Sequence, residues 1–461
     1  MISYNELPEA FACAMKDQLG ADFEKYIGTL EGRPALGMRV NTIKARPEAV
    51  FSKIDVAHER IEWAENGFYV EDVSNFTRHP FYYAGLYYIQ EPTAMTPVTW
   101  LDVQPDDMVL DLCAAPGGKS TQIACYLGER GCLYSNDPSA SRAKALLKNI
   151  ELSGISNAVI TCAEPEKLAA VYPEFFDRIL VDAPCSGEGM FRKNRDVLTA
   201  YREHGPEYFA PIQREVLAHA AVMLKPGGTM VYSTCTFSRQ EDEDNIDWFV
   251  HEHPEFEVER MKKLYPHEVR GEGHFVCRLK KKGGSDSELN GEAQMDGSPA
   301  GSQIGAAPAG GSCGTPVSGG EIKNPTTGSA PISDECRYWD MEKDRREYVL
   351  NEYTYLLPVG AKLSPTIHYI RTGLLLGRTR NGRFEPSQAH AMAASVKEMK
   401  DAMNLELSDD RVMRYLKCET LEADDSYDGY RLVCVEGHPL GWIKQSGTRC
   451  KNKYYPGWRW T

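Results

Sequence analysis

Between about residues 95 and 282, short apolar runs alternate with helical patterns, and this alternation restricts the fold more than any other feature. Residues 108–113 (MVLDLC) read as a buried strand, followed by a Gly-rich turn and a helix over about 120–127. Residues 131–136 form a second strand signal, and 139–153 have the spacing of an amphipathic helix. Residues 178–182 and 230–233 repeat the strand pattern, the latter after the turn Lys225-Pro226-Gly227-Gly228. Strands separated by helices predict an α/β, Rossmann-like, doubly wound parallel sheet. Ligands of such sheets bind at the carboxyl ends of the strands. The unusual polar clusters of this chain all fall just after strands.

At 461 residues the chain is too long for one ordinary core. The expected divisions are a mixed α/β lead-in over 1–94, the alternating segment over 95–282, a linker over 283–335 and a C-terminal region over 336–461. Residues 283–332 hold 12 Gly, 7 Ser, 5 Pro and no aromatic residue, too little apolar surface to offset chain entropy, so flexibility is expected. No apolar run approaches the ~18 residues of a membrane span, and residues 1–6 lack the basic start of an export signal. The 13 cysteines form no C-x-x-C pair and no zinc spacing, so no metal is expected. Cys125, Cys277 and Cys434 sit in apolar segments, as small hydrophobes do. A reducing cytoplasm and a monomer are the expectations.

The first polar cluster is Asp111-Leu112-Cys113-Ala114-Ala115-Pro116-Gly117-Gly118-Lys119-Ser120. Small residues there let a ligand approach the backbone, and the helix start behind them favours an anion. A P-loop needs glycine where Cys113 stands, so nucleoside triphosphate binding is disfavoured. The second cluster ends a strand with Asn136-Asp137; an acid at that point holds ribose hydroxyls, although a lone Asp there is more often a helix cap. The third runs from Asp182 through Pro184, Cys185, Ser186 and Glu188 to Lys193, and the fourth is Thr234-Cys235-Thr236-Phe237. Any single cysteine is most often a buried structural residue. Two of them at strand ends beside an inferred nucleoside site point instead to covalent catalysis. Spacing alone leaves open which thiol attacks.

The runs DLCAAPGGKSTQIA, DAPCSGEGMFRK and STCTFS resemble the NOP/Sun family of RNA cytosine-5 methyltransferases. Further matches are Arg39-Val40-Asn41-Thr42, Tyr88-Ile89-Gln90-Glu91-Pro92, Pro266-His267 and Gly271-Glu272-Gly273-His274-Phe275. The likeness is continuous over about residues 30–280. It implies S-adenosyl-L-methionine as cofactor and RNA as partner. Cys113, Ala114, Ala115, Pro116, Gly117, Gly118 and Lys119 would line the methionine end, Asp137 would bind the ribose, and Asp182 would face cofactor and base. Cys235 would add to carbon 6 of cytosine, making carbon 5 nucleophilic. Asp182 would act as an acid near N3, and Cys185 would assist proton removal or release. The family's acidic residue near the adenine falls here on Ala163, so Glu164 is expected to serve from one place along.

The net charge of −14 weakens the case for a nucleic-acid partner unless basic patches are local. Residues 441–461 supply one: five Lys or Arg, no acid and five Trp or Tyr. Cations beside aromatic faces suit phosphates and stacked bases, while packing of a small core is the simpler reading. The segment, with His438 to Trp442, resembles the PUA-like C-terminal module of bacterial RsmF-type enzymes, which implies small-subunit ribosomal RNA or the 30S subunit as substrate. Removing 336–461 is expected to weaken RNA binding and spare cofactor affinity. Alternatives are a transfer-RNA methyltransferase and a cofactor-binding ribosome-assembly factor, though two site thiols would be superfluous in a scaffold. Residues 241–244 are expected to form a solvated helix start.

Overall fold

A computed structural model describes residues 3–71, 76–283, 346–394 and 401–460. Apart from Gly283, the linker expected over 283–335 lies outside the described residues.

The alternating segment forms an eight-stranded sheet. From edge to edge its strands are Phe256–Leu264, His274–Lys281, Leu224–Thr234, Phe176–Asp182, Met108–Asp111, Cys132–Asn136, Ala158–Thr161 and Tyr369–Thr372. The five central strands are parallel, while His274–Lys281 and Phe256–Leu264 add on antiparallel. Side chains alternate between two cores, as a two-residue period requires. Leu110, Tyr134, Val159, Ile179 and Tyr232 point to one face, where the helices Pro165–Val171, Pro206–Met223 and Glu243–Glu252 cover them. Val109, Leu133, Ile160, Leu180 and Val231 point to the other, under Thr96–Leu101, Gly118–Ala124 and Ala140–Leu152. Strands buried on both faces read as continuous apolar runs, which is why they were legible in the sequence.

The lead-in folds as a four-stranded antiparallel sheet, His58–Arg60, Gly67–Val70, Gly37–Val40 and Tyr87–Ile89, preceded by the helices Glu9–Leu19 and Phe23–Leu30. It is not free-standing. Phe11, Tyr26 and Leu30 of its helices pack with Phe191, Leu198 and Phe237 of the central segment. Arg192 ties the three parts of that junction together, pairing with Glu272 at 2.8 Å and donating to the Thr29 carbonyl at 2.7 Å.

The C-terminal region departs further from a self-contained unit. Tyr369–Thr372 pairs antiparallel with Ala158–Thr161 and closes the open edge of the central sheet. The Cys162 N–H donates to the His368 carbonyl, and Arg371 pairs with Glu151 of the neighbouring helix. The remaining strands form a four-stranded sheet, from Arg346–Leu350 to Arg383–Pro386, and a three-stranded one of Met403–Leu405, Leu421–Val435 and His438–Asn452. This last sheet shares one apolar core with the lead-in: Met38, Phe81 and Tyr87 lie in the same cluster as Tyr415, Leu416 and Trp458. Lys44 is half-buried at that junction, its ammonium donating to the carbonyls of Ala84 (2.7 Å) and Leu152 (3.2 Å), the ends of two helices. Burial without an acid partner lowers its pKa to about 7.

Among the described residues no helix is long and apolar enough to cross a membrane, and no cluster of three or more His, Cys, Asp or Glu could hold a metal ion.

Candidate active site

Strands Met108–Asp111 and Phe176–Asp182 are neighbours where the strand order reverses, so the loops leaving them diverge and open a cleft. Asp111, residues 113–116, Gly118, Lys119 and Asp182 form its walls, closed from the lead-in by residues 88–91 and Ala94. Gly117 turns behind it at φ +110°, where a Cβ would stand 3.1 Å from Leu146. A Cβ on Gly118 would press on the Tyr88 ring at 3.1 Å. Only glycines let the backbone turn this tightly against both neighbours. Arg39, fully buried behind the turn, donates to the Gly118 carbonyl (3.0 Å), Thr121 Oγ1 (2.5 Å) and Gln90 Oε1 (2.9 Å). Sequence reasoning used Arg39 only as part of a matching run and missed this support.

Two buried carboxylate oxygens around this turn accept no hydrogen bond, Asp111 Oδ1 and Asp137 Oδ2. Their companions are satisfied, by Ser120 Oγ at 2.6 Å and the Ser139 N–H at 3.0 Å. Asp137 Oδ2 stands 3.3 Å from Arg142 without hydrogen-bond alignment. Asp111 lines the cleft, whereas Asp137 is not on its wall; the orphaned acceptor of Asp111 fits a ligand that brings a donor, such as an ammonium. The donor set therefore fits the expected cofactor. Glu164 is a different matter. It is exposed, begins the helix Pro165–Val171 without capping it, and is not on the cleft wall. The buried residue here is Asn136, which donates to the Leu112 and Ala163 carbonyls and accepts from Thr161 and the Ala163 N–H, binding three strand ends together.

Burial pushes the Asp111 carboxyl up to about 7, a shift the Ser120 hydrogen bond only partly opposes. A group whose folded pKa is raised binds more protons folded than unfolded, so its contribution to stability falls as pH rises from about 4 through 7. Asp111→Asn removes that dependence. Urea unfolding of both proteins should show the variant gaining about 3 kcal/mol on the parent between pH 5 and pH 8. A difference that stays flat with pH would mean that Asp111 is ionised in the fold throughout.

Asp182 faces the cleft from the next strand. Lys119 Nζ lies 2.8 Å from its Oδ2, the Ser233 hydroxyl donates to Oδ1 at 2.9 Å, and His274 Nε2 stands 3.5 Å away. Burial would raise this carboxyl, but the Lys119 cation and His274 outweigh it and hold the carboxyl well below the usual carboxylate range. Asp182 is therefore an acceptor at neutral pH, whereas the sequence reading gave it an acid's role. The nearby cation is Lys119: burial works against its ammonium, and Asp182 lifts it above the ordinary lysine value. Ser233 and His274 were missed as neighbours because they come from two further strands.

The two thiols meet. Asp182 is in register with Ser233 across adjacent parallel strands, so the loops that follow carry Cys185 and Cys235 side by side. Their sulfurs are 3.3 Å apart. The hydrogen bond to Cys235 and burial both raise the Cys185 pKa well above the usual thiol value. Glu241 and Asp242, expected to be solvated, are fully buried instead. Glu241 accepts from the Ser186 N–H, the Ser186 hydroxyl and Gln213, while Asp242 accepts from Thr234 Oγ1 at 2.6 Å.

In the C-terminal segment, Trp442, Tyr454 and Trp458 are buried in the cores, the simpler of the two sequence readings. Trp460 lies under the Lys417 ammonium, and Tyr455 is 54% exposed. Lys444, Arg449, Lys451 and Arg459 face outward. Outward-facing cations remain, with fewer exposed rings than the composition implied.

Residues 98–280 match the family described as 16S rRNA methyltransferase RsmB/F. Residues 7–92 match the N-terminal domain of 16S rRNA methyltransferase RsmF, 335–393 the first C-terminal domain of the RsmF rRNA methyltransferase, and 402–460 the methyltransferase RsmF PUA domain. The ribosomal RNA small subunit methyltransferase F of Klebsiella pneumoniae (strain 342) is 30% identical, over 97% of this chain and 95% of that one. That of Erwinia tasmaniensis is 28% identical with the same coverage. A methyltransferase homolog protein from Pyrococcus horikoshii has a solved structure 26% identical to this chain, with a TM-score of 0.53 over 61% of this chain and all of that one.

Proposed function

The chain belongs to the RsmB/F family of 16S rRNA methyltransferases, and on that basis we propose that it methylates carbon 5 of a cytosine in small-subunit ribosomal RNA, with Cys235 as covalent nucleophile. The observation that carries the cytosine reading is the pair of sulfurs 3.3 Å apart beside the Lys119–Asp182 ion pair. Carbon 5 of cytosine is too weak a nucleophile to be methylated directly, and addition of a thiolate at carbon 6 overcomes this.

The 113–119 turn, Asp111 and Asp137 would hold S-adenosyl-L-methionine, the methyl donor of such enzymes. When bound, it supplies an electrophilic methyl group to carbon 5. The remaining steps belong to the protein. Cys235, its proton given up to solvent, adds as thiolate to carbon 6, forming a carbon–sulfur bond as the ring's double bond opens toward carbon 5. Asp182, held as a carboxylate, accepts a hydrogen bond from the 4-amino group, and the Lys119 ammonium balances negative charge that develops on the ring. Once carbon 5 is methylated, its proton must leave before Cys235 can be expelled. Cys185, after losing its own proton to solvent, would take the carbon 5 proton; the electron pair left behind re-forms the carbon 5–carbon 6 double bond, the carbon–sulfur bond breaks, and Cys235 leaves as thiolate. The outward cations of the C-terminal sheet would contact the RNA backbone.

Bisulfite sequencing of total RNA, from cells with and without this protein, tests the reading. At least one cytosine in small-subunit rRNA should lose its protection when the protein is absent. Loss confined to transfer RNA would overturn the substrate, and no loss in any RNA would overturn the chemistry.

A further inference from the structure

Glu241 lies in the segment expected to be solvated, yet it is completely buried at the crossing of the two cysteine loops. Its carboxylate takes the N–H of Ser186, the residue after Cys185, at 2.9 Å, and the Ser186 hydroxyl as well. Gln213 donates to it at 2.8 Å while also donating to the Pro184 carbonyl at 2.8 Å, so the loop is gripped on both sides of Cys185. The hydroxyls of Ser186 and Thr236 are 2.8 Å apart. Glu241 accepts from the Ser186 hydroxyl, which is hydrogen-bonded in turn to that of Thr236. Thr236 follows Cys235 directly. Glu241 therefore anchors a hydrogen-bond chain that links the residue after one thiol to the residue after the other.

We infer that Glu241 is a positioning residue for the two-thiol site, holding Cys185 against Cys235 through Ser186 and Thr236. The inference rests on the proposed reading of Cys235 as nucleophile and Cys185 as the thiol that assists release. Other contacts join the Cys235 loop to residues farther from Cys185 or to the helix that follows it. Asp242 holds Thr234, Glu188 accepts the Phe237 N–H at 2.9 Å, and the Gly189 N–H donates to the Cys235 carbonyl at 2.9 Å. Of these three carboxylates, Glu241 is the one that accepts from Ser186, the residue next to Cys185. Its loss should therefore impair the step that needs Cys185 and leave attack by Cys235 in place. Misplacement of a reacting group by about 1 Å lowers a rate by roughly 100-fold, which sets the expected scale for the release step.

Glu241→Ala and, as a milder change that leaves the carboxylate in place, Ser186→Ala would be compared with Cys185→Ala and the parent in the full-length protein. Each would be incubated with small-subunit rRNA and labelled S-adenosyl-L-methionine, then run on a denaturing gel that resolves covalent protein–RNA complex from free protein. Cofactor affinity and thermal midpoint would be measured beside it. The expected result is accumulated complex in both variants, with turnover down up to about 100-fold in Glu241→Ala, less in Ser186→Ala, and cofactor affinity unchanged. If Cys185→Ala accumulates complex but neither variant does, the inference about Glu241 fails and the thiol reading stands. If Cys185→Ala accumulates none, the thiol reading fails and takes the inference with it. Should Glu241→Ala not fold, Ser186→Ala alone decides: parent-like turnover and no complex would overturn the inference.

Discussion

Replacing Cys235 by alanine should lower methyl transfer by about 10⁴-fold or more, the scale on which loss of a covalent nucleophile acts. Cys185→Ala should do something different, leaving attack intact and stranding protein on RNA as a complex stable to denaturation. The argument is geometric. The sulfurs sit 3.3 Å apart at the ends of neighbouring parallel strands, and the hydrogen bond to Cys235 together with burial raises the pKa of Cys185. A thiol whose pKa is raised is seldom ionised and attacks poorly. Labelled methyl transfer and a denaturing gel check both variants at once. If Cys185→Ala is inert and Cys235→Ala strands the RNA, the two roles exchange; if both variants turn over normally, covalent catalysis is excluded. Folding should survive in each case, since removing one sulfur from a half-buried loop leaves a small void.

A chain ending at residue 283 should lose far more than RNA affinity. The sequence pictured the C-terminal region as a removable module, with cofactor binding spared. Two contacts contradict that picture. Tyr369–Thr372 closes the edge of the cofactor-binding sheet, and Tyr415, Leu416 and Trp458 share a core with Met38, Phe81 and Tyr87 of the lead-in. Each large apolar side chain newly exposed costs about 1.5–3 kcal/mol, against a typical net stability of about 5–15 kcal/mol. Uncovering several at once should leave the truncated protein insoluble or lower its thermal midpoint by more than about 10 °C. Thermal melts and calorimetric titration with S-adenosyl-L-methionine would check this. A truncated protein with parental midpoint and affinity would show that the C-terminal region is indeed independent.

The central sheet was readable because its strands are buried on both faces and are separated by amphipathic helices. Residues 108–113, 131–136 and 178–182 were each placed within two residues of the observed strands. The strand expected at 230–233 is longer than its apolar run, extending over Leu224–Thr234 through the Pro-Gly-Gly turn. The cleft residues from Cys113 to Lys119 were visible because glycines in a tight turn leave a compositional mark. Glu241 and Asp242 were misread for the opposite reason. An acidic run looks solvated, and nothing local in Glu241-Asp242-Glu243-Asp244 distinguishes the two carboxylates that turn inward from those that do not. The aromatics of 441–461 were ambiguous in the same way, since a ring that packs a core and a ring that stacks on a base have the same letter.

By itself, then, the amino-acid order determined the doubly wound sheet, the cofactor turn and the presence of two thiols near it, because each is a short-range pattern of period, glycine or cysteine. Tertiary structure alone decided the 3.3 Å meeting of Cys185 with Cys235, the ionised state of Asp182 between Lys119 and His274, and the joining of both ends of the chain to the central sheet. Those depend on contacts between residues 50 to more than 300 positions apart, such as Cys185–Cys235 and Trp460–Arg78. Strand register and a shared core create such contacts, and neither leaves a trace in the local sequence.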